Sequence, residues 1–478
     1  DTYVNFDGIT YAKGASVLKQ LVYYVGREKF FQGINQYLNK YAYSNATLAD
    51  LLHELEKASG RDLKAWSAKW LEESGINTIA TEVEENADGT IASLTLNQTA
   101  PAEHPVLRPH RLAVGFYDED PATGKIVRTD RFELDVDGES TVAAAAAGKK
   151  RPAFILVNDD DLTYTKLRFD ADSLSFALAN LQRFDDALAR AVVWLSLWDM
   201  TRDGDLAAEK FIDTTLALLA TETESTTFRY ALSCMSTTAW HYTAPDRRAD
   251  VVKHVAKELW KLVIAAPGGS DQQFQLVTAY LGYGEEGDAE FAEHAQGLFD
   301  GSLIVAGLEI DNNFTWTIIN ALSSVKLIDQ AGIDAQLAKR DTTENREFAL
   351  GAHAVRGDAA AKEWAWNEAL NNADLTNMQL EAVARGFGAT PRPDLAEPYA
   401  AKYYDVVDWV WKNKSFHMAE ALLEGLYPYY ADPATLVELG HRWLADHEDA
   451  DNALKRIVRG NVESSQRTLK VRDFNAAL

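Results

Sequence analysis

The chain has 478 residues, 47 of them basic and 72 acidic, for a formal net charge of −25 at neutral pH. A field of that sign repels phosphate backbones and anionic lipid surfaces, which sets nucleic acid and membrane aside as partners. Apolar residues make up 47% of the chain, enough for sizeable cores. No apolar run approaches the roughly 18 to 20 residues that a membrane span requires, and the length suits about two to four domains. A lone cysteine, Cys234, cannot form an internal disulfide and fits a reducing, cytoplasmic setting.

From residue 11 to about residue 75 the apolar residues recur at helical spacing. One set is Val17, Leu18, Leu21, Val22 and Val25, the next Phe30, Phe31, Ile34 and Leu38, the third Leu48, Leu51, Leu52 and Leu55. Gly26, Gly60 and Gly75 punctuate them, Thr47 with Asp50 predicts a capping box, and Ser59-Gly60 predicts a stop. The run His53-Glu54-Leu55-Glu56-Lys57 has the outline of a helical zinc motif but carries Lys57 where the second histidine belongs. His53 therefore reads as a helix-surface residue.

From about residue 76 to residue 170 the period changes to alternation. Ile91, Leu94 and Leu96, then Leu112, Val114 and Phe116, then Ile155 and Val157 are separated by turns at Asp88-Gly89, Pro121-Ala122-Thr123-Gly124 and Asp137-Gly138. Six or seven short strands predict a compact β-sandwich. The alanine run 143–147 reads as a tight edge or short turn. Asp159-Asp160-Asp161 lacks the spacing and glycine of a calcium loop and reads as turn and cap chemistry.

From residue 171 to 478 helical periodicity returns, broken at Asp203-Gly204, Ala266-Pro267-Gly268-Gly269, Gly301, Gly332, Gly357, Pro391-Arg392-Pro393 and Asp432-Pro433. Successive helix pairs without heptads predict an α-solenoid. Cys234 lies in an apolar helical stretch and reads as buried and inert. Gly282-Tyr283-Gly284-Glu285-Glu286-Gly287 matches a dinucleotide fingerprint on paper, but it follows a helical segment and its glutamates would repel a pyrophosphate, so it reads as a connecting turn. His254 and Glu258 are one helical turn apart yet have no evident third ligand. The basic tail, with Lys455, Arg456, Arg459, Arg467, Lys470 and Arg472, reads chiefly as charge complementing acidic neighbours and a helix end; one arginine anchoring a peptide carboxylate is the functional alternative.

Three segments carry a resemblance to a known family. Phe6-Asp7-Gly8-Ile9-Thr10-Tyr11-Ala12-Lys13-Gly14-Ala15 contains a Tyr-x-Lys-Gly-Ala run. Trp66-Ser67-Ala68-Lys69-Trp70-Leu71-Glu72-Glu73-Ser74-Gly75-Ile76 is rich in tryptophan. Residues 152–170 contain Val157-Asn158-Asp159-Asp160-Asp161-Leu162-Thr163-Tyr164. In this order they resemble the gluzincin aminopeptidases, the aminopeptidase N family, at three places: the stretch after the zinc-binding region, the end of the catalytic domain, and the join between a small β domain and a helical C-terminal domain. The Asn-Asp-Asp-Asp-Leu-Thr-Tyr form is similar to the actinobacterial-type branch.

The resemblance implies a mainly α, multidomain protein: residues 1–75 the helical end of a thermolysin-like catalytic domain, 76–170 a small β-sandwich, and 171–478 a bowl-shaped, HEAT-like α-solenoid. It implies a zinc aminopeptidase that removes N-terminal residues from peptides, with Tyr11 donating a hydrogen bond to the oxyanion and Phe6 lining the pocket for the first side chain, a pure packing role being the alternative for Phe6. Gly14 is expected to allow a close approach of the first helix to a neighbour. His-Glu-x-x-His, the downstream glutamate ligand and the Gly-rich exopeptidase motif are absent, so no zinc is expected on these residues. The expectation is thus the C-terminal portion of a monomeric enzyme, inactive alone, whose zinc site lies on a missing N-terminal portion. A non-catalytic α-solenoid that binds peptides or proteins is the alternative.

Overall fold

A computed structural model describes residues 9–478. The chain divides into two compact units, Asp1–Met200 and Thr201–Leu478. The first holds short helices and then two small sheets, the second only helices among its described residues.

A π-helical turn, Ile9–Lys13, runs into α1 (Gly14–Val25), followed by α2 (Arg27–Lys40), α3 (Leu48–Ser59) and α4 (Leu63–Ser67). Gly26, at φ +87°, turns the chain between α1 and α2 in one residue. The capping box at α3 forms as its sequence predicts: Thr47 Oγ1 accepts from the Asp50 amide and Asp50 Oδ2 from the Thr47 amide. Val17, Leu21 and Val25 on α1, Leu52 and Leu55 on α3, and Leu63, Trp66 and Trp70 beyond them form one core. Helix α2 buries only Gly33, where an added Cβ would sit 2.7 Å from Leu55 Cδ2 and 3.0 Å from Leu55 Cα. A side chain there would push α2 off α3.

Seven strands follow: β1 (Thr78–Glu85), β2 (Ile91–Thr99), β3 (His110–Glu119), β4 (Ile126–Val136), β5 (Ser140–Val142), β6 (Phe154–Asp159) and β7 (Lys166–Arg168). They make a four-stranded sheet in the order β5-β2-β1-β7 and a three-stranded sheet in the order β4-β3-β6. The alanine run supplies a one-turn 3₁₀ helix, Ala144–Ala146. Alternation predicts one buried face for β6, but all six of its residues are buried. The helix Ala171–Asn180 explains this: its Ser173 hydroxyl accepts from the Ile155 amide, and Phe154 meets Phe169, Phe176 and Phe184.

In the second unit the helices run from Ala208–Leu219 to Asn452–Ala476. Polar caps start many of them: Asp288, Asp311, Asp329, Thr342, Asp358 and Thr376 each accept from an amide in the first turn. Helix Thr343–Ala354 packs on Asn377–Gly388, and that helix on Phe416–Gly425. Their core includes Ala354, Val383, Tyr403, Leu422, Tyr427 and Val458. The last helix returns to the unit's first: the Ala208 amide donates to Asn475 Oδ1 at 2.9 Å, and Arg472 Nε to the His241 carbonyl at 2.8 Å.

One buried cation ties this core together. Lys362 is 2% exposed, and its Nζ donates to the carbonyls of Ala354 at 2.7 Å, Phe387 at 3.1 Å and Gly386 at 3.2 Å, and to the Thr390 hydroxyl. These carbonyls are the unpaired C-terminal groups of two helices, so one ammonium satisfies both negative helix ends. Burial pulls the Lys362 pKa down to about 7. Lys362→Met strands those carbonyls and should cost about 1–3 kcal/mol in denaturant unfolding of the second unit. The folded lysine holds its proton less tightly than the unfolded one, so wild-type stability should rise, relative to the variant, as pH climbs from about 7 toward 10.5. A wild-type-minus-variant difference that is flat over that range would contradict the assignment.

Candidate functional site

Tyr11 lies in the turn Ile9–Lys13 that opens α1, and it is 62% exposed. Its ring is therefore no part of the packed interior. Leu18, about two helical turns on, is 56% exposed, whereas Val17, Gln20, Leu21 and Val25 are buried. α1 thus buries one stripe and leaves the Tyr11–Leu18 side open. Phe6 lies outside the described residues. Among the described residues a Cβ on Gly14 would meet nothing within 4 Å, so the expected close approach at Gly14 is not made there.

What fixes α1 is a polar seam. Gln20 is 1% exposed, in the middle of an apolar stripe, and its Oε1 accepts from the Thr163 hydroxyl and the Tyr164 amide, each at 2.9 Å. His110 Nδ1 lies 2.7 Å from Thr163 Oγ1, and its Nε2 lies 2.9 Å from Gln98 Oε1. The chain of contacts runs from α1 through the 158–165 loop to β3 and β2. At its edge Lys19 Nζ pairs with Asp161 at 3.0 Å and donates to the Asp160 carbonyl at 3.2 Å. Gln20 sits nine residues, about 13 Å of helix, from Tyr11, so the seam fixes the direction in which the open turn projects.

The Asn-Asp-Asp-Asp-Leu-Thr-Tyr run builds that seam. Asn158, Asp160 and Asp161 take φ of 61°, 65° and 54°, a left-handed path that Asn and Asp tolerate better than most residues. Asn158 Oδ1 accepts the amides of Leu162 and Thr163, closing the turn. Asp159 is buried beneath the Tyr117 hydroxyl at 2.6 Å and pairs with Arg128 at 2.6 Å. Asp160 is held by Arg128 and Arg131, and Asp161 by Lys19. Every carboxylate of the run is committed to a protein cation, which leaves none for calcium.

The tryptophan-rich segment closes the core beneath α1. Trp66 and Trp70 are 2% and 3% exposed, and Trp70 Nε1 donates to the Pro109 carbonyl at 3.2 Å. Arg108, 1% exposed, sits beside the Trp70 ring and donates to the carbonyls of Lys69, Glu73, Ser74 and Val106. It stitches the end of the helical segment to the start of the sheets. Sequence patterning alone does not find Gln20, His110 or Arg108; the available signal is a polar residue placed inside an apolar period.

The remaining candidates resolve into structure. Buried Glu54 pairs with Lys40 at 2.7 Å and Lys57 at 3.5 Å, while His53 is exposed, so the zinc lookalike is an ion-paired helix face. His254 faces Asp213 at 3.0 Å and Glu258 pairs with Lys261 at 2.6 Å. Among the described residues no three His, Cys, Asp or Glu side chains could together hold a metal ion. The Gly282–Gly287 segment is a turn between helices; Glu286 pairs with Lys326 and Arg392, and a Cβ on Gly284 would collide with Phe291. Cys234 is buried.

If the seam holds α1, Thr163→Val removes the hydroxyl between His110 and Gln20 at constant shape and should cost about 1–3 kcal/mol. The cost should surface as faster amide hydrogen exchange along Gly14–Val25. Exchange there at the wild-type rate would show that α1 is fixed by its apolar contacts alone.

Comparison with known proteins completes the picture. Residues 154–467 match the ERAP1-like C-terminal domain, and residues 1–70 match the peptidase family M1 domain. Aminopeptidase N of Streptomyces lividans is 38% identical over 483 residues, a match covering 100% of this chain and 56% of that relative. Aminopeptidase M1-B of Oryza sativa subsp. japonica is 29% identical over 36% of the chain and 19% of its own length. Probable aminopeptidase 1 of Sulfurisphaera tokodaii is 42% identical over 16% of the chain and 10% of its own length. The chain spans about half the length of the Streptomyces relative and less of the others. No helix among the described residues is long and apolar enough to cross a membrane. On the match along its whole length, the chain belongs to the M1 aminopeptidase family of metallopeptidases and carries that family's ERAP1-like C-terminal domain.

Proposed function

We propose that this chain is the C-terminal portion of a zinc aminopeptidase that removes N-terminal residues from peptides, and that Tyr11 stabilises the reaction's oxyanion. The observation that carries the reading is Tyr11 itself, exposed at the head of a helix whose other side is anchored by Gln20 and Lys19. When water adds to a peptide carbonyl, negative charge collects on the carbonyl oxygen, and a donor already aimed at that position lowers the barrier without reorganising. A phenol on an anchored helix suits this role. The zinc ligands are assigned in this reading to polypeptide outside this chain.

Exposed apolar side chains support the need for that further polypeptide. Leu18, Phe31, Leu38 and Leu48, in the first three helices, are each more than half exposed. An amphipathic helix that turns apolar residues outward on its second side is short of a partner. The proposed occupant is the rest of the catalytic domain, for which residues 1–75 supply the helical end. Residues 76–170 form a spacer, and 171–478 a HEAT-like solenoid that limits access to the peptide. Phe6 is proposed to line the pocket for the first side chain. The enzyme is read as a cytoplasmic monomer.

Tyr11→Phe in the intact enzyme should lower kcat by about 10²- to 10³-fold on an aminoacyl reporter, with KM changed far less, because the lost bond strengthens only in the transition state. The present chain alone should release nothing from that reporter. A kcat within twofold of wild type would remove Tyr11 from the chemistry. Zinc-free peptide binding by a chain whose intact parent cleaves nothing would favour the non-catalytic solenoid instead.

A further inference from the structure

Two polar groups in the second unit are left without partners at the wall of one cavity. The cavity, of about 470 Å³, lies between the helices Ser225–Thr237 and Asp271–Tyr280, and its walls include Leu232, Ser236, Phe274, Gln275, Ala279 and Tyr283. Tyr283 is 2% exposed and lies in a one-turn 3₁₀ segment just after the second helix. Among the described residues its hydroxyl completes no hydrogen bond. Its ring stacks on Trp240 at 6.3 Å, and the Ser236 hydroxyl, another part of the wall, is close enough to act on it. Burial pushes the Tyr283 phenol well above its ordinary range, so it keeps its proton at neutral pH.

Gln275 is the second group. Its Nε2 donates to Asp271 Oδ2 at 2.5 Å, which settles the orientation of the amide, because a carboxylate accepts only from the nitrogen side. The remaining Oε1 is buried with no partner among the described residues. Each of these atoms has lost water without gaining a protein bond, which is costly until another group completes it. The rest of the wall narrows what that group can belong to. Phe274 is 45% exposed and packs against Phe314 at 5.1 Å, so part of an anchored ring stays open, with Leu232 and Ala279 adding apolar surface. Arg229 sets a positive charge in the wall and Asp271 a negative one behind Gln275, so a ligand of either sign meets a like charge.

We propose that this cavity binds a small, uncharged aromatic molecule that carries a hydrogen-bond donor beside an acceptor, of the class of a primary aromatic amide. The ligand's N–H donates to Gln275 Oε1, its carbonyl accepts from the Tyr283 hydroxyl, and its ring lies against Phe274. The half-buried Gln275 and Ser236 side chains turn to open these groups to the cavity. Every residue of the site belongs to the second unit, and the proposal is independent of the aminopeptidase reading.

Titration calorimetry on the full chain at neutral pH tests the site, with benzamide, benzoate, benzylammonium and cyclohexanecarboxamide as probes. Benzamide is expected to bind with a Kd on the order of 1 mM, at least about tenfold tighter than either ion and severalfold tighter than the aliphatic amide. Tyr283→Phe and Gln275→Leu should each weaken it about tenfold. Ser233→Trp, at an exposed position in the wall, should fill the cavity and abolish binding. Because Tyr283→Phe removes a hydroxyl with no bond to lose, the melting temperature should hold or rise. A melting temperature lowered by that change would show the hydroxyl already bonded within the protein and would overturn the proposal. So would the absence of benzamide binding, or benzamide binding that survives Ser233→Trp or both polar substitutions. Either ion binding as tightly as benzamide, or cyclohexanecarboxamide matching it, would overturn the proposed ligand class.

Discussion

The contact on which the first unit depends is the one between Gln20 and Thr163. A glutamine in the middle of an apolar stripe is a poor choice for a helix that needs only to be buried, because each unmet amide bond costs about 1–3 kcal/mol. Here the Gln20 carbonyl meets the Thr163 hydroxyl and the Tyr164 amide, so α1 can dock in one register against a loop more than 140 residues away in sequence. A purely apolar stripe of Val17, Leu21 and Val25 would tolerate sliding. The left-handed residues Asn158, Asp160 and Asp161 cost backbone energy, and their side chains offset it through the Asn158 turn and the pairs with Arg128, Arg131 and Lys19. The aspartate run, which invites a metal reading, is thus the other half of the device that orients Tyr11.

Buried cations close helix ends in both units. Arg108 and Lys362 each sit where helices end and carbonyls are left over, and each is wrapped by those oxygens. In both cases the buried head group donates to helix-end carbonyls that also needed a partner, which offsets part of the desolvation that lowers its pKa.

Local signals in the sequence carried the secondary structure well. The period change at the end of the first helices, the Thr47–Asp50 box and the hairpin turn at Asp88-Gly89 all correspond to observed elements, because each is set within a few residues. The burial of β6 was not legible, since it depends on a helix that covers its second face. Gly14 meets no neighbour among the described residues, whereas Gly33, with no such motif around it, lets α2 touch α3. At the site, Tyr11 came from a motif, while Gln20 and His110 could not, because each is explained only by a partner more than ten residues away. The open carbons of Leu18, Phe31 and Leu38 were indistinguishable in sequence from the buried ones beside them.

The acidic surplus has a structural origin as well as an electrostatic one. Among the described residues nine helices begin on an aspartate whose carboxylate accepts from first-turn amides: Asp62, Asp170, Asp186, Asp288, Asp311, Asp329, Asp358, Asp432 and Asp451. A fold made of many short helices has many N-termini, and aspartate suits each both as a cap and as a charge against the dipole. Acidic residues therefore accumulate with helix number, without any demand from a substrate.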